Sequence, residues 1–366
     1  MAAAGKNRFA LNLRAGELVE IRSKEEILAT LDEKGRLDGL PFMPEMLKYC
    51  GKQVRVYKSA HKTCDTVDKT GGRQVAPNTV HLEGLRCNGE AHGVCQAACL
   101  LFWKEEWLRK VPVKSESTSA ANGVNGKRGH CSEDALWNST TRSSESPVET
   151  YVCQTTEIPK FTTLLHWWDV RQYVKDVTSG NVTVLQVIEA MLFRIFQLVL
   201  RIGAYRALTQ SYNVFQRMRG GTPYPFREGT LTSKTPSETL NLQPGELVQV
   251  KSHEEILQTL NKVGRNRGMR FDAELVKYCG KTFRVGRRVE RIIDEKSGTM
   301  RHLQNDCIVL ENAICTGQLT ALRLFCPTAT HAYWREIWLR RVGDAPQIST
   351  QHCLNAAPQT ATQQGK

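Results

Sequence analysis

The sequence predicts an α+β protein in which two diverged copies of one small module are joined by a helical middle segment. Three observations predict this class. The chain matches itself at long range, each matching stretch mixes one short capped helix with short strands, and a strongly apolar helical stretch lies between them.

The self-match starts when Gly16 is set on Gly245. GELVEIRSKEEILATLDEKGR answers GELVQVKSHEEILQTLNKVGR, and EMLKYCGKQVRV answers ELVKYCGKTFRV. From Gly16 to Val56, 23 of 41 positions are identical without a gap. Such self-similarity marks a duplicated structural unit. Further on, HLEGLRCNG matches VLENAICTG and FWKEEWLRKV matches YWREIWLRRV, with two gaps between. The repeat places copy one at 1–113 and copy two at 244–344.

Within a copy, Leu18, Val19 and Ile21 (Leu247, Val248 and Val250) read as an opening strand. Ser23 with Glu26, and Ser252 with Glu255, form S-x-x-E capping boxes that start a helix. Ile27, Leu28 and Leu31 then share one helical face, and Gly35 stops it. A strand meander follows, with hairpin turns at 68–71 and 295–298. Trp103 and Trp107, like Trp334 and Trp338, are spaced for one face of a closing helix and are expected in the core. A capped helix with short twisted strands suggests a partly open barrel of the SH3 type, a likeness of shape that implies no activity.

Between the copies, 114–150 is rich in Ser, Thr, Asn and Gly and reads as a disordered linker. Residues 151–219 read as helical, 220–243 as a Gly/Pro-rich connector, and 345–366 as a disordered tail. Cys131 and Cys353 fall in the linker and the tail and are poor site candidates. Thr183 with Gln186 opens a helix of about 20 residues whose apolar arc exceeds what a one-sided surface helix needs. Leu185, Ile188, Leu192, Ile195, Phe196 and Val199 are therefore expected to be hidden, against a module or a second chain. The same stretch, 183–205, suits a homodimer face or a peripheral membrane contact, while Glu189, Arg194 and Arg201 argue against a membrane span.

Hydrophobic content of 40% and charged content of 24% fit a folded soluble protein, and the formal net charge is +13. The densest basic stretch, Lys262–Arg291, sets ten Lys and Arg against Asp272, Glu274 and Glu290. It makes nucleic acid or an anionic surface one candidate partner. Aromatic residues are only 7% and do not alternate with the cations, which weakens a single-strand reading. The N-terminal stretch lacks the apolar run of a signal peptide, so the expected compartment is a reducing cytoplasm, with the inner membrane as a peripheral variant.

In that compartment twelve cysteines call for metal or core roles rather than disulfides. Three pairs align across the repeat: Cys50 with Cys279, Cys87 with Cys315, and Cys95 with Cys326. CNGEAHGVCQAAC places Cys87, His92, Cys95 and Cys99 as soft N/S donors able to close a tetrahedron around zinc, with Gly89 and Gly93 letting the backbone wrap. Cys95 and Cys99, four apart, are expected on the first turn of the Trp103 helix. Cys50 and Cys64 are reserve ligands. Copy two offers Cys279, Cys315 and Cys326, with His331 or Cys307 as substitutes. Cys64 in HKTCDT is also the candidate nucleophile, with His61 as its base and Lys62 to lower its pKa. Signatures of nucleotide, serine-hydrolase and zinc-protease sites are absent.

The phrases GELVEIRSKEEILATLD, GLPFMPEMLKYCGK, HKTCDTVD, HLEGLRCNGEAHGVCQAACLLFWKEEWL and YWREIWLRRV resemble those of a family of bacterial proteins with no assigned activity. The resemblance covers both modules and much of the middle. It implies a bacterial cytosolic origin and carries over no catalytic residue. The leading expectation is a non-catalytic, metal-stabilised scaffold whose modules act on a protein partner. The alternatives are a cysteine- or metal-dependent enzyme centred on copy one, and nucleic-acid or anionic-surface binding through copy two.

Overall fold

A computed structural model describes residues 10–111, 131–142, 148–202, 205–319 and 323–342. Copy one runs β1 (Leu18–Ile21), α1 (Lys24–Leu28), β2 (Arg36–Leu37), β3 (Leu40–Pro41), a 3₁₀ turn (Pro44–Tyr49), β4 (Gln53–Ser59), β5 (Lys62–Cys64), β6 (Gly72–Val75), β7 (Thr79–Arg86), β8 (Leu100–Lys104) and β9 (Leu108–Lys110). A middle part follows with α2 (Glu133–Asn138), β10 (Thr141–Arg142), β11 (Thr150–Tyr151), α3 (Ile158–Phe161), β12 (Thr162–Leu165), α4 (Arg171–Thr178), α5 (Val184–Ile202) and α6 (Tyr205–Arg219). Copy two repeats the first series as β13 (Leu247–Val250), α7 (His253–Leu257), β14 (Arg265–Asn266), β15 (Met269–Arg270), β16 (Thr282–Arg288), β17 (Arg291–Ile293), β18 (Met300–His302), β19 (Ile308–Ile314), β20 (His331–Trp334) and β21 (Leu339–Arg341).

The two copies share one topology. Copy one forms an antiparallel sheet in the order β8-β7-β4-β1-β9, and copy two forms β20-β19-β16-β13-β21. Registers repeat as well: Leu18 pairs with Arg55 and Leu247 with Arg284. Each sheet must curl. Its edge strands β8 and β9 are joined by only Glu105–Trp107, a link that spans at most about 14 Å, whereas the outer strands of a flat five-stranded sheet lie ~19 Å apart. Register breaks at Val56/Lys58 and His81/Arg86, matched at Val285/Arg287 and Val309/Ile314, supply the bend.

Both capping boxes form, each Ser hydroxyl accepting from the N–H of the glutamate three residues on and each Glu side chain accepting from the Ser N–H. The cores match. Phe42 meets Trp107 edge-on at 5.1 Å, and Phe271 meets Trp338 at 5.4 Å. Trp107 donates to Thr30 and Trp338 to Thr259. The tryptophans do not lie on a helix, however. Trp103 sits on β8 and Trp107 ends the short 3₁₀ link Glu105–Trp107, because the unbroken run Leu100-Leu101-Phe102-Trp103 is buried on both faces although β8 lies at the sheet edge. The following glutamate is buried in each copy. Glu105 accepts the N–H groups of Leu11, Asn12 and Leu13, and Glu336 those of Leu240, Asn241 and Leu242.

The middle departs from expectation. Residues 131–142 are ordered: Ser132 caps α2, and Leu136 and Cys131 are buried against copy one. Gly35 makes room for them, since a Cβ there would stand 2.7 Å from the Leu136 side chain. The rest of the expected linker (114–130 and 143–147) and the tail 345–366, with Cys353, lie outside the described residues. Nor is 151–219 all helical, because β12 extends the β5–β6 hairpin of copy one. Helix α5 opens on the expected Thr183/Gln186 box. Its apolar stripe is not covered by the described residues, for Leu185 is 76% and Leu192 61% exposed, and of the six residues expected to be hidden only Phe196 is half-buried.

The copies face each other with approximate two-fold correspondence. The loop after β7 of copy one rests on β17, with Gln96 N–H donating to Arg291 O and the Ile293 N–H meeting Cys95 Sγ at 3.4 Å. The equivalent loop of copy two rests on β5, where Thr63 and Thr328 hydroxyls lie 3.0 Å apart.

Candidate metal centre

The loop Cys87–Cys99 leaves β7, folds back on itself and enters β8. Gly89 permits the return: its φ is +76°, and a side chain there would collide with the Cys95 backbone. Gly93, φ +66°, packs against the Tyr151 ring in the same way. The 3₁₀ turn below the loop supplies Glu45, which is 4% exposed.

Three unlike donors converge there. Cys87 Sγ lies 3.4 Å from His92 Nε2, and His92 Nδ1 lies 3.1 Å from Glu45 Oε1. Ligand atoms of Glu45, Cys87 and His92 all fall within 4.8 Å of one another, so this group could hold a metal ion. Glu45 also accepts the Ala91 N–H at 3.2 Å, and Cys87 receives the Gly89 N–H. Glu45 Oε2, although buried, has no hydrogen-bond partner among the described residues. Burial pushes the Glu45 carboxyl up, but His92 and the Ala91 N–H outweigh it and hold the carboxyl below its usual range. Burial and the Glu45 charge push the Cys87 thiol far up. A bound dication would reverse that shift, since a coordinating thiol gives up its proton. The donors therefore fit a soft divalent ion.

Cys95 and Cys99 are not on a helix and are not among the three gathered donors. They do line the same cavity of about 30 Å³, together with Cys87, His92, Cys153 and Glu295. That space holds a water or an ion but no organic substrate. Burial raises the thiols of Cys99 and Cys153. The reserve ligand Cys50 caps the 3₁₀ turn outside the cluster.

The proposed nucleophile does not assemble. His61 Nε2 faces Asp176 of α4 at 3.2 Å, and Lys62 Nζ bonds the same carboxylate at 2.5 Å. Both side chains are drawn to α4, so neither activates Cys64. The Cys64 thiol is raised, by its hydrogen bond with Cys326 and then by burial. It lines a cavity of about 20 Å³ with Cys315, Cys326 and Arg323. Among the described residues Cys279, Cys315 and Cys326 form no metal-holding group, and neither Cys307 nor His331 joins them.

Glu274, the counterpart of Glu45, explains the difference between copies. It accepts the Thr316 hydroxyl at 2.9 Å and the Leu319 N–H at 2.5 Å, with Lys277 at 3.8 Å. The buried glutamate thus clamps the same loop in both copies, and the Cys315 thiol feels the Glu274 charge as Cys87 feels that of Glu45, but only copy one adds an imidazole. Sequence reasoning missed Glu45, although an acidic residue repeated within an apolar stretch (EMLKYC, ELVKYC) was the available signal. It also missed Cys153, which no repeat could reveal.

The basic stretch of copy two is partly engaged within the protein. Lys277 bonds Thr316, Arg284 the Gly245 carbonyl, Arg288 Glu336, and Arg267 Asn305. No helix among the described residues is long and apolar enough to cross a membrane. Neither a protein-family model, nor a curated protein, nor a solved structure matches the chain.

Proposed function

We propose that this chain is a non-catalytic binding scaffold, with two SH3-like modules serving a protein partner and zinc stabilising the first. One observation carries the reading: a carboxylate, a thiol and an imidazole from separate turns meet inside 4.8 Å, and the carboxylate keeps a buried oxygen without a hydrogen bond. Unpaired buried oxygens are rare because they cost about 1–3 kcal/mol. Zinc accepts all three donor types, with bonds of roughly 2.0–2.3 Å. A fourth ligand would come from a thiol of the same cavity, Cys95, Cys99 or Cys153. Held this way, the ion fastens the Cys87–Cys99 loop to the 3₁₀ turn, and its binding energy becomes folding energy of copy one.

A second reading has its own support. Cys87, His92 and Glu45 stand in the order nucleophile, base and orienting carboxylate. Against it, the imidazole is 2% exposed and the adjoining cavity admits only an ion or a water.

Elemental analysis of full-length protein purified without added metal tests the proposal. About one zinc per chain is expected, lost in Cys87→Ser and His92→Ala and kept in Glu274→Gln. Metal-free protein whose stability ignores chelators would sink the scaffold reading. Rapid alkylation of Cys87 that depends on His92 would support the enzyme instead.

A further inference from the structure

Helix α5 carries apolar residues on more than one side. Inward, Ala190 and Leu200 are buried, and Arg194 covers the Trp167 ring and bonds Gln197, while Glu189 stays exposed. Its outward side is a continuous stripe of Val184, Leu185, Ile188, Leu192, Ile195 and Val199, all exposed. The stripe runs ~22 Å from Val184 to Val199. It continues over α4 through Val170, Val174 and Trp168, and between the two helices lies an apolar groove of about 620 Å³. Soluble proteins rarely leave a contiguous apolar face of this size bare.

Charge says what covers it. Residues 166–219 hold seven Lys and Arg against three acidic residues, and one of those, Asp176, is buried against His61 and Lys62. Arg171, whose side chain is 88% exposed, and Arg219 border the face as ion pairs with Asp169 and Glu189, so the positive charge of the rim comes from the remaining cations of the segment. A second copy of this chain would bring a like-charged rim against it, in a protein already at +13. The stretches 112–130 and 343–366 are too polar in composition to cover it from within the chain. An anionic bilayer answers both the apolar stripe and the basic rim, with exposed tryptophan at the boundary, where indoles prefer to sit. We propose that the face built by α4 and α5 docks the protein on an anionic membrane surface, with α5 lying in the plane of the headgroups.

Flotation of the full-length protein with phosphatidylcholine vesicles, with and without a roughly one-third share of phosphatidylglycerol, tests this. The expected result is flotation with the anionic vesicles only, weakening as salt rises. Ile188→Glu with Leu192→Glu should reduce partitioning by about tenfold or more. Both side chains are exposed, so circular dichroism should be unchanged. The proposal is overturned if the protein does not float on anionic vesicles, if the double variant floats as well as the parent, or if light scattering shows a dimer that the double variant abolishes.

Discussion

Glu45→Gln and Glu274→Gln form a matched pair that separates a metal ligand from a loop clamp. Both glutamates are buried at equivalent positions and both tie down the loop that leads into the sheet edge. Glutamine keeps the shape but turns one oxygen into a donor. In copy two that sets an amide against either the Leu319 N–H or the Lys277 ammonium. A hydrogen bond to a charged group contributes about 1.5–3 kcal/mol, so each variant should lose roughly that amount. Only copy one should lose more when zinc is present. At free zinc a hundredfold above its Kd, binding adds about 2.7 kcal/mol. If losing the carboxylate weakens zinc by ~100-fold, about 2.3 kcal/mol of that disappears at the same zinc concentration. In a folding unit of this size the loss corresponds to about 5–9 °C in Tm. Scanning calorimetry of both variants, with zinc and with a chelator, makes the comparison. Identical zinc dependence in the two would refute the metal assignment and leave Glu45 a clamp.

Other outcomes follow from single contacts. Trp338→Phe removes the bond to Thr259 and should cost about 1 kcal/mol in urea unfolding, with no change in metal content. Burial pushes the Glu295 carboxyl up to about 7, so the folded state holds a proton that the unfolded chain releases near pH 4.3. Its contribution is therefore greatest below that value and is lost as pH rises through 7; Glu295→Gln should flatten stability across this window, as read from Tm against pH. Gln96 Oε1 accepts the N–H groups of Glu290 and Arg291, so Gln96→Ala should speed hydrogen exchange at those two amides and leave Lys62 in copy one unchanged.

Much of the module was legible because its signals are local. Ser23/Glu26 and Ser252/Glu255 announce their helices within four residues, and both boxes form. The Trp motif misled because a spacing of four suits a helical face, while the deciding feature was the unbroken apolar run before it. The order of residues 131–142 could not be read either, since composition reports how much apolar surface a segment has, and not that Leu136 and Cys131 suffice when Gly35 leaves a seat. The site was half visible. Cys87 and His92 are close in sequence, but Glu45 comes from 42 residues earlier and reaches them only because the sheet curls over the 3₁₀ turn.

The two-fold correspondence alters what the repeated cysteines mean. Thiols kept at equivalent places in both copies suggested shared metal chemistry, yet copy two gathers no such group among its described residues. Cys95 and Cys326 instead occupy the same position in the loop that each copy lays across the other. Cys95 Sγ meets the N–H of Ile293, and Cys326 pairs with Cys64, which stands where Ile293 stands in copy two. A small side chain able to accept from a strand edge fits that contact. Repetition of these two thiols therefore follows from the interface between copies, whereas the chemistry proposed for copy one adds one unrepeated residue, His92, to a repeated glutamate and thiol. His92 has no partner in copy two, and it is the imidazole that turns a shared carboxylate clamp into a candidate metal centre.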